Sequence, residues 1–244
     1  MKIQTFIFNW PGVKEGRTHY ELTCEKVDQL KLINKNPIVI NSDDEHKDAT
    51  WHNIGDESFF TAQFLKALDL FDGDILFHIQ ADASYHNWLP IYESAVEYFE
   101  RYKWGIYAPN VDFTWYTSER TDLDEVNIKH RNLKMVANPD CTCWMIHKDI
   151  LNEAVKRKID FTPYHMGWSF DIVYTALAFM MKRPVLRDYQ YTIKHPDVTN
   201  YSKPQAEKEM HEFYKALPED IQKPFSYIKG DIHKLVDYYK KDTK

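Results

Sequence analysis

The first forty or so residues of this chain write a strand, a helix and a second strand in succession, and that order restricts the fold more than anything else in it. Thr5-Phe6-Ile7-Phe8 is a short apolar run that stops at Asn9-Trp10-Pro11-Gly12. Thr18 and Glu21 then have capping-box spacing, and the helix they open carries Cys24, Val27, Leu30 and Ile33 at helical intervals, which predicts Cys24 as a core residue. Pro37 breaks the helix, and Ile38-Val39-Ile40 is a second strand ending at Asn41-Ser42-Asp43-Asp44. Two strands joined through a helix run parallel, because only antiparallel neighbours can be joined by a tight turn. The class is therefore α/β, with a mostly parallel sheet flanked by helices.

The pattern continues. A helix capped by Asp56 presents Phe60, Phe64, Ala67, Leu68 and Phe71, and Asp72-Gly73-Asp74 turns the chain into Ile75-Leu76-Phe77-His78-Ile79. That strand stops on Gln80, and Asp82 follows where a side chain leaves the core. Trp88, Ile91, Tyr92, Ala95, Val96 and Phe99 mark a further amphipathic helix, and a strand over residues 104–109 follows. Between Asn110 and Arg131 periodicity gives way to charge, as expected of a functional or mobile segment. Lys134-Met135-Val136 and the run from Cys141 to Ile146 are strand-like, and a helix covers about Asp149 to Lys158. Cys141 and Cys143 lack the second ligand pair that zinc spacing requires and read as buried structural cysteines. An aromatic turn from Asp160 leads to Gly167-Trp168-Ser169-Phe170-Asp171 and a helix, and the strand begun at Pro184 closes on Lys194-His195-Pro196. Past Tyr201, three prolines and mixed charge predict short helices. The expected organisation is one domain over residues 1–201 with a C-terminal helical extension over residues 202–244.

Composition narrows the function. A net charge of -6 leaves no overall basic footprint for nucleic acid, and only 7 glycines, with no Gly-x-Gly-x-x-Gly after the first strand, argue against a dinucleotide fold. Three cysteines do not make a disulfide framework. No apolar run approaches the roughly 20 residues of a membrane span, and the N-terminus enters strand-like sequence directly. The expected location is the cytoplasm, or the host cytoplasm for a viral protein.

Each polar residue singled out has a bland explanation alone: Asp43-Asp44-Glu45 as a solvated loop, Asp171 as a helix-start acid favoured by the macrodipole, His195 as a strand-end histidine. Their order is more informative. A strand–helix–strand start, an acidic loop, a strand ending in Gln80-Ala81-Asp82, an aromatic Gly167-Trp168-x-x-Asp171 turn and a late Lys194-His195-Pro196 resemble the GT-A class of nucleotide-sugar-dependent glycosyltransferases. The resemblance runs from about Met1 to Tyr201.

The resemblance implies a GT-A (Rossmann-like) mixed sheet and a hexosyl- or pentosyltransferase that moves a sugar from a UDP- or GDP-type donor to an acceptor hydroxyl. The class ends a strand in Asp-x-Asp, whose last acid holds a divalent metal, Mn²⁺ or Mg²⁺, on the donor diphosphate. Here Gln80 replaces the first acid, so the motif is degenerate, and Asp82 takes the metal position with His195 as a second ligand. The alternative register, Asp82 to Ser84, makes Asp82 the ribose contact. Asn9, Trp10, Asp43, Asp44 and Gln80 match the donor region, and Arg17 is a candidate diphosphate contact. Asp171 matches the acid that serves as general base or binds the acceptor, with Trp168 as part of the acceptor wall. The acceptor is a glycan, a lipid-linked sugar, a protein or, in the phage-type branch of the class, a hydroxymethylated base in DNA. A catalytically silent nucleotide-sugar-binding protein is the competing reading, supported by Gln80.

Overall fold

The structure, a computed structural model, describes residues 1–124, 126, 128–196 and 202–241. The expected domain edge at Tyr201 lies outside the described residues. One eight-stranded sheet forms the centre. Its strands are β1 (Ile3–Asn9), β4 (Ile38–Asn41), β5 (His52–Asn53), β6 (Ile75–Gln80), β7 (Ile106–Val111), β8 (Leu133–Met135), β9 (Cys143–His147) and β10 (Val185–Ile193). A small hairpin, β2 (Val13–Lys14) with β3 (Arg17–Thr18), stands apart.

The sheet order is β5-β4-β1-β6-β9-β7-β10-β8. β4 and β6 flank β1 in parallel, β7 and β10 pair in parallel, and β9 is wedged antiparallel between β6 and β7. β1, β4, β6, β7 and β10 therefore all finish at one edge, where ligands bind in open α/β sheets.

Both faces of the sheet are covered, so β1, β6 and β9 are buried along almost their whole length. On one face lie α1 (His19–Leu32) and α3 (Leu89–Tyr102), joined by a hydrogen bond from Trp88 Nε1 to Gln29 Oε1. Phe77 of β6 packs on Trp88 and Tyr92 there. On the other lie α2 (Phe60–Leu70) and α6 (Phe170–Met180), where Phe64 sits among Phe8, Trp144, Phe170 and Tyr174. His78 also faces this side, against Phe8 and Phe60, with its Nδ1 bonded to Cys141 O, 2.8 Å away. Burial lowers its pKa to about 3, so this histidine is a neutral core residue.

α5 (Lys148–Lys156) follows β9 directly. α6 buries almost every side chain, because α8 (Glu219–Gly230) and α9 (Ile232–Lys240) pack on the side away from the sheet. Phe213 of α7 (Lys203–Ala216) fills the space between Phe161 and Phe170. The irregular segment after β7 contains one helical turn, α4 (Ser118–Thr121).

Two local expectations are corrected. Asp56 does not cap α2: that helix starts at Phe60 without a side-chain cap, because Gly55 at φ +88° turns the chain and ties Asp56 N to Asp44 instead. The capping box at Thr18 and Glu21 is formed, but α1 buries only part of the predicted face: Leu30 is buried, and Val27 and Ile33 are partly buried against the core. Its buried residues are His19, Thr23, Lys26 and Leu30, and Cys24 is only half-buried. A polar stripe therefore points inward, which is explained by what lies beneath it.

Candidate functional site

The turn after β6 is where that polar stripe ends. Asp82 is buried, and its Oδ1 has no hydrogen-bond partner among the described residues. Its Oδ2 lies 3.5 Å from Nε2 of His195, a residue far away in sequence. The chain brings the two together by pairing backbones: Ser84 N donates to Lys194 O at 2.9 Å, and Lys194 N to Ser84 O at 3.0 Å. The register shift of β10 against β7 between Asp188 and Thr192 re-aims the strand end, as bulges beside sites do. Asp112, just past β7, accepts from His195 N at 2.8 Å and fixes the other side of the histidine. His195 Nδ1 is also buried without a partner among the described residues.

Two buried lysines hold this turn from below. Lys14, in the hairpin, donates to Asp82 O at 2.7 Å, Ser84 Oγ at 3.1 Å and Lys194 O at 3.2 Å. It thereby ties together the ends of β6 and β10. Lys26 of α1 donates to Ala81 O at 3.0 Å. Burial lowers its pKa to about 8, opposed by the charge of Asp82 and reinforced by Lys14. His19 completes the stripe, its ring edge-on to Trp10 and its Nδ1 3.2 Å from Trp10 O. A Cβ at Gly12 would stand 2.4 Å from this ring, so only glycine fits there. Burial lowers the pKa of His19 against the pull of Asp82. With Ser84 Oγ engaged by Lys14, the alternative register ending at Ser84 places its second oxygen ligand against an ammonium group.

The ends of β1 and β4 form a polar ladder beside this turn. Asn9 donates to Asn41 Oδ1 at 2.7 Å and accepts from Thr23, and Gln63 donates to Asn9 O at 2.7 Å. Asp43 is buried, with Oδ1 accepting from the amides of Glu45 and His46 and Oδ2 facing His46 Nδ1 at 3.0 Å. It shapes its own loop. Asp44 is exposed and paired with Lys47 at 2.5 Å. Tyr20 stacks on His46 and leans on Trp51, an aromatic wall at the loop surface. Arg17 is exposed and pairs with Glu25 at 2.7 Å, and Gln80 is half-buried with its backbone N–H donating to Thr142 O.

Asp171 occupies a second position on the same edge. Gly167 and Ser169 both take left-handed backbone, φ +72° and +83°, to swing α6 into place. Phe60 presses so closely on Gly167 that a Cβ there would meet its ring at 2.3 Å. A serine at φ +83° stores strain, which persists only where the surroundings dictate it. The turn delivers Asp171 to the first turn of α6, buried, with Oδ2 accepting from Asn138 Nδ2 at 2.7 Å and with the Tyr116 hydroxyl and the Ile172 amide near enough to favour its charged form. Burial raises its pKa, outweighing those hydrogen bonds. Trp168, half-buried, lies in the same turn. Behind them Arg187 of β10, buried, donates to Tyr116 O and Asn138 O, each at 2.9 Å. One guanidinium thus fixes both side-chain donors of Asp171.

The predicted residues therefore fall along one edge, with Asp82 and His195 in contact and Asp171 in a separate pocket of neutral donors. Sequence reading missed Lys14, His19, Lys26, Asp112, Tyr116, Asn138 and Arg187. One signal was available: His19, Thr23, Lys26 and Leu30 have helical spacing.

No family model and no curated protein matches the chain. Among solved structures it is similar to S. aureus TarS 1-349 in complex with UDP-GlcNAc, 11% identical at a TM-score of 0.59, over 99% of this chain and 73% of that one. It is similar to S. aureus TarS 1-349 in a second structure, 11% identical at a TM-score of 0.55, over 100% and 76%. It is also similar to GalNAc-T7 with UDP, GalNAc and Mn2+, 10% identical at a TM-score of 0.59, over 97% of this chain and 57% of that one. The mixed sheet, with five strand ends gathered on the edge that carries the buried acids, and the likeness to these structures agree: the chain has the GT-A fold.

Proposed function

We propose that this chain is a nucleotide-sugar-dependent glycosyltransferase that moves a sugar from a UDP- or GDP-type donor to an acceptor hydroxyl. The observation that carries the reading is the meeting of Asp82 and His195 at 3.5 Å, with a buried carboxylate oxygen left unpartnered beside them. A buried acceptor atom without a donor costs free energy unless something fills the place. Among the described residues no group of three or more His, Cys, Asp or Glu clusters as a metal cage. Two protein ligands suit a hard cation whose other sites are taken by diphosphate oxygens and water. Asp82 and His195 would hold such an ion, which in this class neutralises charge on the leaving diphosphate.

The remaining chemistry belongs to the chain. Asn9, Trp10, Asp43, Asp44 and Gln80 are the donor-side residues of this reading, and Arg17, paired with Glu25 in this structure, is its candidate diphosphate contact. The acceptor oxygen attacks the anomeric carbon, the bond from that carbon to the phosphate oxygen breaks, and the acceptor proton leaves. Asp171, its pKa raised by burial, is either the base that takes this proton or the acid that holds the acceptor, with Trp168 as part of its wall. Residues 1–201 form the transferase unit and residues 202–244 its helical extension. No helix among the described residues is long and apolar enough to cross a membrane.

A competing reading has a specific support. Gln80 stands where the class has an acid, and Lys14 and Lys26 already supply positive charge under the turn, as a silent binding protein tolerates. A thermal-shift screen of UDP- and GDP-sugars with and without Mn²⁺, followed by a donor-hydrolysis assay, separates the two, since a ligand that binds the native state raises its melting temperature. The transferase reading expects a metal-dependent shift and slow hydrolysis, both absent in Asp82→Ala. Shifts without hydrolysis for any donor favour the binding protein.

A further inference from the structure

The underside of the Asp82 turn holds more buried positive charge than negative. Lys14 and Lys26 are 8% and 3% exposed, and among the described residues their ammonium groups bond only to neutral oxygens. Lys14 donates to Asp82 O, Ser84 Oγ and Lys194 O, and Lys26 to Ala81 O at 3.0 Å and Leu22 O at 3.4 Å. Asp82 is the carboxylate buried at this turn, and its charge acts on both Lys26 and His19. Two further acids stand at the surface. Asp112 is exposed and accepts from the amides of Phe113 and His195, and Glu25 is exposed and paired with Arg17. Water and salt screen both. His19, its pKa lowered by burial, is neutral at about pH 7. The buried charges are therefore two ammonium groups against one carboxylate. An amide side chain could hold the same carbonyls without the cost of desolvating a charge, so the excess suits an anion that the chain itself does not supply.

We propose, on the transferase reading, that Lys14 and Lys26 make this site take its divalent metal only together with a nucleotide diphosphate and turn the free ion away. A free divalent cation at Asp82 and His195 gains one carboxylate but meets two ammonium groups, which in a partly buried site offset much of that gain. A nucleotide diphosphate cancels the repulsion with its own negative charge. The same excess of positive charge attracts the diphosphate, so each ligand prepares the site for the other. Such coupling is reciprocal: the factor by which nucleotide tightens metal is the factor by which metal tightens nucleotide.

The test is equilibrium dialysis of the full chain against Mn²⁺ at about pH 7, alone and with UDP or GDP on both sides of the membrane. Wild type should hold Mn²⁺ roughly 10–100-fold more tightly with one of the nucleotides than without. Lys26→Gln and Lys26→Met are both neutral, and each should bind free Mn²⁺ roughly tenfold more tightly than wild type, with a smaller effect of nucleotide. Glutamine keeps a donor for Ala81 O and methionine does not, so a gain shared by both variants belongs to the charge and not to the hydrogen bond. Lys14→Gln, on a different element, should shift free-metal binding in the same direction. Lysines that served only as clamps would have the opposite sign, because loosening the turn weakens its hold on a metal. Equal binding of Mn²⁺ by wild type with and without nucleotide, or Lys26 variants that bind free Mn²⁺ no better than wild type, overturns the proposal. Free-metal binding uses no nucleotide, so its failure is separate from a failure of the donor screen, which would break the transferase reading itself.

Discussion

Asp82 and Asp171 are both buried acids at the same sheet edge, yet they live in opposite surroundings. Asp82 has cationic or ionisable nitrogen groups on several sides, Lys14, Lys26, His19 and His195, and keeps one oxygen unpartnered. Asp171 has neutral donors, Tyr116, Asn138 and a helix-start amide, and a pKa raised by burial. The first environment, with an unpartnered oxygen among nitrogen groups, suits a carboxylate that coordinates something. The second suits a carboxyl that changes protonation, since the free energies of its two states are brought closer near neutral pH. One fold holds both because two different elements, a strand end and a helix start, deliver them.

The largest expected effect comes from removing the anion. Asp82→Ala leaves Lys14 and Lys26 in place and takes away the carboxylate proposed to hold the donor's metal. We expect transfer to fall roughly 10⁴-fold, equivalent to the several kcal/mol that charge neutralisation supplies to a leaving phosphate. Donor titration by calorimetry checks the binding half: metal-dependent affinity disappears. If the variant binds donor with unaltered metal dependence, the contrast between the two acids is wrong at its stronger end.

Asp171→Asn keeps the shape and removes the titration. Transfer should fall about 10²–10³-fold, within the usual range for a general base, while metal-dependent donor binding is spared. In wild type the acid limb of the rate profile should lie above the ordinary carboxylate range, because the folded pKa is raised. The same shift has a stability counterpart. Between the unfolded and folded pKa values the native state binds more protons than the unfolded state, so stability contributed by Asp171 is lost as pH rises through that window. Loss of donor binding in Asp171→Asn, with transfer no worse than donor binding explains, would assign both acids to one task.

Much of this arrangement was legible in the sequence. Apolar runs ending on polar residues located β1, β4, β6 and β10, and those ends carry Asn9, Asp43, Asp82 and His195. What was not legible is whatever depends on a partner from another segment. The contact of Asp82 with His195 is made by the Ser84–Lys194 backbone pairing, which leaves no side-chain signature. Lys14 and Lys26 read as surface charge, since lysine is rarely buried without a partner. Their partners are backbone carbonyls, which every sequence has and no sequence marks. On α1 the apolar Cys24 and Val27 point to one face as the inner one, although the polar stripe beside them is the buried one.

Arg187 tests whether the neutral environment of Asp171 is built or incidental. Arg187→Met removes the donor to two carbonyls, the half-buried one of Tyr116 and the buried one of Asn138. An unpaired buried acceptor costs about 1–3 kcal/mol, so urea unfolding should show a loss of roughly 3 kcal/mol. Carbon-13 titration of labelled aspartate should also move the Asp171 pKa, because both of its side-chain donors are released. A stability loss with the Asp171 titration unmoved would leave Arg187 as packing alone.

The smallest expected effect concerns the cationic side. Lys26 has a native pKa of about 8, below its ordinary 10.5. Above about pH 8 it is neutral when folded and still charged when unfolded, so the unfolded state binds more protons and stability rises with pH until about 10.5. Other groups titrate in that range, which is why the measurement is a difference: the pH dependence of unfolding free energy for wild type minus that for Lys26→Met. The difference should climb by about 2 kcal/mol from about pH 7.5 to about pH 10, since a tenfold change in proton affinity is worth about 1.4 kcal/mol and water reaching the opened helix relieves part of the total. A flat difference means that Lys26 keeps its proton throughout that range. Asp82 would then stand over a permanent charge, and the cationic environment would be stronger than burial alone allows.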